Sequence, residues 1–170
     1  TSYIKTLGST VTRSADDTQM YDIDQSEWFK QHSGTFYMET KCFGSEYNNS
    51  RTLRLSIDGS TSDRIDIYLG SNRVTQNVFV NGSGQGELLG SYYITQNSFF
   101  KYALNYETDN RNLSVDGAIR TTDTNCLIPQ PLNRLEFSNI SSGTSNGHIK
   151  KFSYYPIVLT TNEINDLTEE

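Results

Sequence analysis

Carboxylate pairs at alternate positions are the first chemistry to test in this chain, which has 20 acidic residues among 170. Glycoside hydrolases of the retaining type need two carboxylates about 5–5.5 Å apart, and a strand can supply them in a pattern such as Glu-x-Asp-x-x-Glu. Asp22 and Asp24 have the alternate spacing, but no third carboxylate follows in register. Solvated loop acids or a helix cap explain this pair more simply, so we expect no hydrolase site.

Nucleophilic and metal-dependent chemistry have equally little support. The metalloprotease motif His-Glu-x-x-His and the phosphate-binding P-loop do not occur. A serine or cysteine nucleophile would need a nearby histidine, and the chain has only His32 and His148. These histidines and the two cysteines, Cys42 and Cys126, lack the paired spacing of a structural zinc site. We therefore predict that the protein is not an enzyme, and leave open whether the cysteines pair.

Candidate binding residues are sought where an aromatic ring and planar polar groups converge, because a sugar offers an apolar face and a rim of hydroxyls. Three groups qualify: the row Arg54, Arg64, Asp66 and Tyr68; the pair Tyr92 and Tyr93 with Gln96 and Asn97; and Trp28 with Phe29. Each group also has an ordinary structural interpretation. The row suits cross-strand pairing on a sheet surface, one of the adjacent tyrosines suits a core, and a lone tryptophan often covers one end of a core.

Calcium is the only cofactor that the sequence leaves open, since carboxylates and carbonyls at loop rims suit this ion. Asp16, Asp17 and Asp22 form an acidic early segment, while Asp58 and Asp63 border another loop. Neither group has the spacing of an EF-hand, so no metal ligand is assigned.

The elements that would position these residues are strands, because apolar residues alternate along most of the chain. Segment 34–43 places Phe36, Met38 and Cys42 on one face, which suggests a buried thiol at Cys42. Residues 112–117 end in Asp116-Gly117, a strong signal for a hairpin turn.

Segments 51–59 and 63–70 predict a hairpin. Their inward positions are Leu53, Leu55 and Ile57 in the first strand and Ile65, Ile67 and Leu69 in the second. Pairing Ile57 with Ile65 keeps both apolar sets on the core side. Arg54 would then face Tyr68 on the solvent side, with Ser56 opposite Asp66 and Asp58 opposite Arg64.

One helix is expected, at 161–168. Thr160 and Glu163 form a Thr-x-x-Glu capping box in front of Ile164 and Leu167. A helix of about two turns is marginal alone in water, so it must dock on the sheet through these two apolar residues.

The composition agrees with a strand-rich protein. Only 34% of residues are apolar and 20% are charged, while Tyr (11) and Phe (8) are abundant. The net charge of −6 argues against a nucleic-acid partner, and no apolar run is long enough to insert in a membrane. We predict a single all-β domain over residues 1–170, an antiparallel two-sheet sandwich.

Three phrases resemble laminin-G-like, concanavalin A-like domains near the ends of bacteriophage tail and tail-fibre proteins. They are SYIKTLGSTVTRSADD at 2–17, KYALNYETDNRNLSVDG at 101–117 and NGHIKKFSYYPIVLTTNEINDLT at 146–168. The last is the most specific, with a Gly-His-Ile strand, paired tyrosines, a proline and a capped helix. The chain departs from the family at Lys5, where proline is common, and 34–98 shares little beyond the strand rhythm.

This resemblance implies a two-sheet jelly roll with a short C-terminal helix, in an extracellular virion tail or fibre. It implies adhesion to cell-surface glycan, contacts with other virion tail proteins and a homotrimeric fibre as the setting. Two alternatives stay open: a structural decoration or fibre-capping domain without a small ligand, and a carbohydrate-binding module of a secreted bacterial protein. The resembling phrases belong to the scaffold and transfer no binding site.

Overall fold

The computed structural model describes residues 18–42, 50–70, 73–90, 94–95, 97–137 and 147–169. These residues form eleven strands, a short 3-10 helix at Ile23–Gln25 and one α-helix. The strands are β1 (Gln19–Met20), β2 (Ser33–Cys42), β3 (Ser50–Ser56), β4 (Arg64–Gly70), β5 (Arg73–Val80), β6 (Ser83–Leu89), β7 (Phe100–Glu107), β8 (Arg111–Val115), β9 (Ala118–Asp123), β10 (Arg134–Glu136) and β11 (Gly147–Tyr155), and the helix is α1 (Thr161–Glu169).

The strands form two sheets. One has six strands in the order β1-β10-β3-β4-β5-β6, and the other has five in the order β11-β2-β7-β8-β9. Every pair of neighbours is antiparallel. The predicted all-β, two-sheet antiparallel architecture with a short C-terminal helix is confirmed. No helix among the described residues is both long and apolar enough to cross a bilayer.

Alternate residues of the strands in both sheets form the core between the sheets. The five-stranded sheet contributes alternate residues of β2 and β7, and the six-stranded sheet those of β3 and β4. The buried set includes Phe36, Met38, Leu53, Leu55, Ile65, Ile67, Leu69, Phe100, Tyr102, Leu104 and Tyr106. Burial of each large apolar side chain contributes about 1.5–3 kcal/mol. The predicted inward positions of β3 and β4 are therefore confirmed, whereas Ile57 lies beyond β3 and is only half-buried.

The predicted β3–β4 register is wrong by two residues. Ile65 pairs with Leu55, and Arg54 lies opposite Asp66. The Ile57 N–H instead donates to the Asp63 carbonyl at 3.2 Å, which closes the loop. A slip of two residues leaves every side chain on its own face, so the apolar pattern cannot detect it. The turn between the strands sets the register, and it requires left-handed φ values of 48° at Asp58 and 76° at Gly59.

The Asp116-Gly117 turn forms as predicted, with φ of 44° and 75°. It joins β8 to β9. Cys126 is a free, buried thiol whose Sγ lies 3.7 Å from the Glu107 carbonyl oxygen. The two cysteines therefore do not pair; the Cys42 side chain lies outside the described residues.

Helix α1 docks on the five-stranded sheet, on the side away from the core. Ile164 is fully buried there against Tyr37 and Ala103, and Leu167 packs against the same cluster. The capping box forms, with the Thr160 N–H donating to Glu163 Oε2 at 2.7 Å and the Glu163 N–H to Thr160 Oγ1 at 3.3 Å. The predicted helix and its mode of docking are confirmed.

Candidate functional site

The outer face of the six-stranded sheet, the side away from the core, carries the predicted row of polar residues. Direct cross-strand pairs run from Glu136 to Arg54, from Arg54 to Asp66, from Asp66 to Asn77 and from Asn77 to Glu87. Directly paired residues point to the same side of a sheet. A continuous polar row therefore crosses five strands.

Asp66 lies at the centre of this row, between two guanidinium groups. Arg54 donates to it from Nε at 2.6 Å and from Nη2 at 3.2 Å, and Arg64 donates from Nε at 2.6 Å. Arg54 and Asp66 are each only 2% exposed, so their predicted position in solvent is wrong. Burial of these charges is tolerable because each one is paired and hydrogen-bonded.

Arg64 differs from Arg54 because both of its Nη groups are unused and its side chain is more exposed. Its group stacks on the Phe79 ring, 3.8 Å from the centroid, while Nε is held by Asp66. Neither Nη1 nor Nη2 has a hydrogen-bond partner within the described part of the chain. With 13% of its side chain exposed, Arg64 offers two donors in a fixed plane.

Tyr68 extends the site along β4. Its hydroxyl donates to Glu87 Oε1 at 2.5 Å and accepts from Asn77 Nδ2 at 2.9 Å. Burial, and then the hydrogen bond and charge of Glu87, raise the pKa of Tyr68 to about 12. The phenol therefore stays protonated at neutral pH and orients the exposed Glu87 carboxylate.

Aromatic rings lie at two places along the row. At the β1 end, the Tyr21 ring is 60% exposed and lies 5.0 Å from the Arg134 guanidinium, which also pairs with Glu136 at 2.6 Å. The second place is on β4 and β5, where Tyr68 and Phe79 are both partly exposed. Along the row, Glu87, Asn77, Arg64 and Arg134 are at least partly exposed and can bind hydroxyls, whereas Arg54, Asp66 and Glu136 are buried.

Of the other predicted site residues, Trp28 does not join this face. Trp28 is 39% exposed and packs edge-on against Phe29 and Tyr154, at 5.7 and 5.5 Å between centroids. It thus belongs to an aromatic cluster beside the core. Tyr92 and Tyr93 lie outside the described residues. Their roles as ligand contacts remain predictions.

Several residues of this face were not predicted from the sequence as site residues. Asn77 and Phe79 alternate with the buried Val74 and Val78 in β5, so the period-2 pattern could have shown them. Glu87 could not be found this way, because the glycine-rich strand β6 has no clear alternation. Arg134 and Glu136 enter only through the pairing of β10 with β3, which is distant in sequence.

Two of the candidate calcium ligands, Asp58 and Asp63, have other roles in the structure. The Asp58 carboxylate accepts from Asn133 Nδ2 at 2.6 Å, and that of Asp63 accepts from the Asn81 N–H at 2.8 Å. Residues 18–42, 50–70, 73–90, 94–95, 97–137 and 147–169 contain no group of three His, Cys, Asp or Glu side chains arranged to hold a metal ion. Asp16 and Asp17 lie outside the described residues.

One short sequence matches a hydrolase motif in its letters. Residues 143–147 read Gly-Thr-Ser-Asn-Gly, which fits Gly-x-Ser-x-Gly. In a nucleophile elbow the serine lies on a turn that leads into a helix. Here Gly147 begins strand β11, so the chain continues as a strand and the required context is missing.

Comparison with known proteins shows which solved structures share this fold. No protein-family model and no curated protein matches the sequence. The CBM40 of the Ruminococcus gnavus IT-sialidase, bound to α2,6-sialyllactose, matches with a TM-score of 0.66 and 16% identity over 92% of this chain and 95% of that one. The heptameric SAP-like pentraxin of Limulus polyphemus matches at 0.62 and 13% identity, over 81% and 70%.

A botulinum neurotoxin type C structure, described by its interaction with two ganglioside molecules, matches with a TM-score of 0.63 and 16% identity. The match covers 86% of this chain but only 36% of the toxin chain. At such identities the likeness establishes the fold alone. The predicted jelly-roll sandwich is confirmed, and two of the neighbours named above are described by a bound sialyllactose or by an interaction with gangliosides. None is described as a phage protein, so the phage-tail origin stays a prediction.

Proposed function

We propose that this chain is a non-catalytic glycan-recognition domain that binds sugar on the outer face of its six-stranded sheet. The observation that carries the proposal is Arg64, whose guanidinium is fixed by Asp66 and Phe79 and keeps Nη1 and Nη2 unused. A donor held in place before binding loses little conformational entropy when a ligand arrives.

The neighbours of Arg64 supply the rest of a sugar site. Glu87 is exposed and can accept a hydroxyl proton, while the Asn77 amide and Tyr68 hydroxyl lie beside it. Partly exposed rings at Phe79 and Tyr68 can contact the apolar face of a pyranose. Such a mixture of planar polar groups and rings suits a neutral or acidic sugar.

Support of a different kind comes from the structural neighbours. One is a CBM40 bound to sialyllactose, and another is a toxin described by its interaction with gangliosides. Both are matched over more than four fifths of this chain.

We place the domain in an extracellular phage tail or tail fibre, where it contacts host cell-surface glycan beside other tail proteins, on a homotrimeric fibre. This setting rests on the phrases at 2–17, 101–117 and 146–168. A module of a secreted bacterial protein would have the same binding chemistry, so the setting needs its own test. Imaging of virions labelled with an antibody to this chain would show it: label at the tail supports the assignment, and its absence rejects it.

The binding proposal is tested with a glycan array followed by isothermal titration of the best ligand, with and without calcium. Arg64→Gln removes both unused donors while Arg54 still pairs with Asp66, and we expect at least about a tenfold loss of affinity. Lys30→Gln removes one positive charge from an exposed residue outside the row and should change nothing. Equal binding by the Arg64 variant would reject this face.

A protein that binds no glycan on the array would favour the structural decoration alternative. Incubation with the bound polysaccharide provides a separate check on catalysis. Release of reducing ends would contradict the non-enzymatic role.

A further inference from the structure

The outer face of the five-stranded sheet carries a concentration of positive charge that the proposed sugar site does not use. Four of the six lysines of the chain lie there: Lys41, Lys101, Lys150 and Lys151, called the lysine patch below. The protein as a whole has a net charge of −6. A basic surface on an acidic protein is a specific arrangement, since random placement would mix the signs.

Strand register places these residues together. Glu39 lies opposite Lys101 on one side and opposite Lys151 on the other, and the Lys150 ammonium reaches Glu39 Oε1 at 2.7 Å. Glu39 and Lys41 alternate with Met38 and Thr40, so they point away from the core. The patch spans the adjacent strands β11, β2 and β7, a rigid support.

An exposed phenylalanine lies within the patch. Phe99 is 46% exposed, and its ring centroid is 5.1 Å from the Lys41 ammonium and 5.6 Å from that of Lys150. Beside it runs a groove of about 350 Å³, lined by Glu39, Phe99 and Lys101 and closed at one side by the end of α1 at Thr168. An aromatic ring between ammonium groups offers apolar contact and charge at one place.

The charge of the patch is only partly neutralised. Glu39 is 9% exposed and pairs with Lys150. The ammonium groups of Lys101 and Lys151 have no carboxylate partner within the described residues; that of Lys151 lies 5.3 Å from the Tyr37 ring. Asp116 and Glu169 border the groove on the helix side, and one Asp116 oxygen accepts the Lys101 N–H. An anion is therefore attracted less strongly beside α1 than on the β11 side, and Lys101 lies between the two.

We propose that the lysine patch is a second binding surface that takes an acidic polysaccharide. Carboxylates of the ligand meet Lys101, Lys150 and Lys151, while the apolar face of a sugar ring covers Phe99. Duplex DNA is disfavoured, because its phosphates are closely spaced and need a larger basic surface than four lysines. The inference stands apart from the sugar site on the six-stranded sheet.

Alginate oligosaccharide, a chain of carboxylate-bearing sugars, is the probe, with neutral dextran of matched length and duplex DNA as comparisons. Titration calorimetry should show alginate binding that weakens as salt is raised, and no dextran binding at this surface. We expect Lys101→Gln, Lys151→Gln and Phe99→Ala each to lower alginate affinity by about fivefold. Lys30→Gln, a matched loss of one charge elsewhere, should leave it unchanged, and thermal unfolding confirms that each variant is folded.

Three results would overturn the proposal: no alginate binding, full affinity in the Lys101 and Lys151 variants, or duplex DNA binding as tight as alginate with no effect of Phe99→Ala. The last would indicate general attraction of polyanions. Arg64→Gln separates the two surfaces. If Arg64→Gln is the only variant that loses alginate binding, the acidic ligand binds the six-stranded sheet and the lysine patch is rejected. If the protein binds no glycan on the array but still binds alginate, only the proposed site on the six-stranded sheet is rejected.

Discussion

Arg54 and Asp66 lie directly opposite each other on neighbouring strands and form a two-point ion pair that is almost completely buried. Arg64 binds the second oxygen of the same carboxylate. Removal of a buried carboxylate that two arginines share destabilises the folded state, because it leaves two positive charges unpaired. The same carboxylate orients Arg64, the arginine that we propose to bind sugar, so Asp66 contributes both to stability and to the proposed function.

Asp66→Asn should therefore be strongly destabilising. Loss of one partner from a buried ion pair costs about 3–5 kcal/mol. Urea unfolding followed by circular dichroism measures the free energy. Glu27→Gln, at an exposed position with no ion pair among the described residues, is the matched control and should stay within about 0.5 kcal/mol. A similar small effect at Asp66 would contradict the buried pair.

Gly34→Ala should disturb the aromatic cluster around Trp28. A Cβ at Gly34 would lie 2.7 Å from the Tyr154 hydroxyl oxygen and 3.0 Å from a Tyr106 ring carbon, both closer than van der Waals contact. Overpacking of this kind costs about 1–3 kcal/mol. Because Trp28 is the only tryptophan and contacts Tyr154, its fluorescence emission should shift as well.

Gly84→Ala is the control for that substitution. Its Cβ would meet a Phe79 ring carbon at 3.8 Å, an ordinary contact, so stability should change by no more than about 0.5 kcal/mol and the emission should not change. Equal effects at both glycines would show that the Gly34 contacts are unimportant.

Asp123 should contribute to stability in a pH-dependent way. Burial alone would raise its pKa, but hydrogen bonds from Arg111 and from the Asn125 N–H outweigh this and hold the pKa below the ordinary 3.8. A carboxyl group with a lowered folded-state pKa contributes fully above about pH 3.8 and loses its contribution as the pH falls through the folded value.

Asp123→Asn should cost about 1–2 kcal/mol near neutral pH, because the fully buried Arg111 side chain would lose its carboxylate partner, although solvent at the partly exposed Asp123 screens the pair. The cost should shrink as the pH falls below about 3.8, and it should vanish once the pH is below the lower folded-state pKa, where the native carboxyl is also protonated. Urea unfolding across a pH series measures both effects. Asp166→Asn, on the exposed face of α1, should leave the pH profile unchanged, and a profile equally unchanged in Asp123→Asn would count against the pair.

Thr160→Ala should loosen α1 by removing its N-cap. The Thr160 hydroxyl accepts from the Glu163 N–H, and loss of such a cap costs about 1 kcal/mol. Hydrogen exchange of the α1 amides should accelerate more than that of β7. Thr161→Ala, one residue later and exposed, is the comparison and should have little effect.

The Glu163 carboxylate accepts from the Thr160 N–H, which lowers the Glu163 pKa below its ordinary 4.5. Its contribution to the cap is present above that pH and is lost as the pH falls below it. If Thr160→Ala and Thr161→Ala prove equally harmless, the capping box does not hold the helix.

The residues of β4 show how far sequence reasoning reached. Ile65, Ile67 and Leu69 were predicted inward, and all three are buried, because a strand alternates its side chains whatever it pairs with. Arg64 and Asp66 were predicted on the opposite face for the same reason. The burial of Asp66 was not predicted, because neither the apolar pattern nor the alternation of side chains between faces shows which charges will pair across strands.

The local properties follow from the amino-acid sequence: the alternation of β2, β3 and β4, the Asp116-Gly117 turn and the capped helix after Thr160. Each depends on residues within a few positions of one another. The pairing of Leu55 with Ile65, and the assembly of Glu136, Arg54 and Asn77 into one row, depend instead on the folded arrangement of the strands. These contacts join residues far apart in the chain, and several arrangements satisfy the same apolar pattern, so packing of the whole sandwich selects among them.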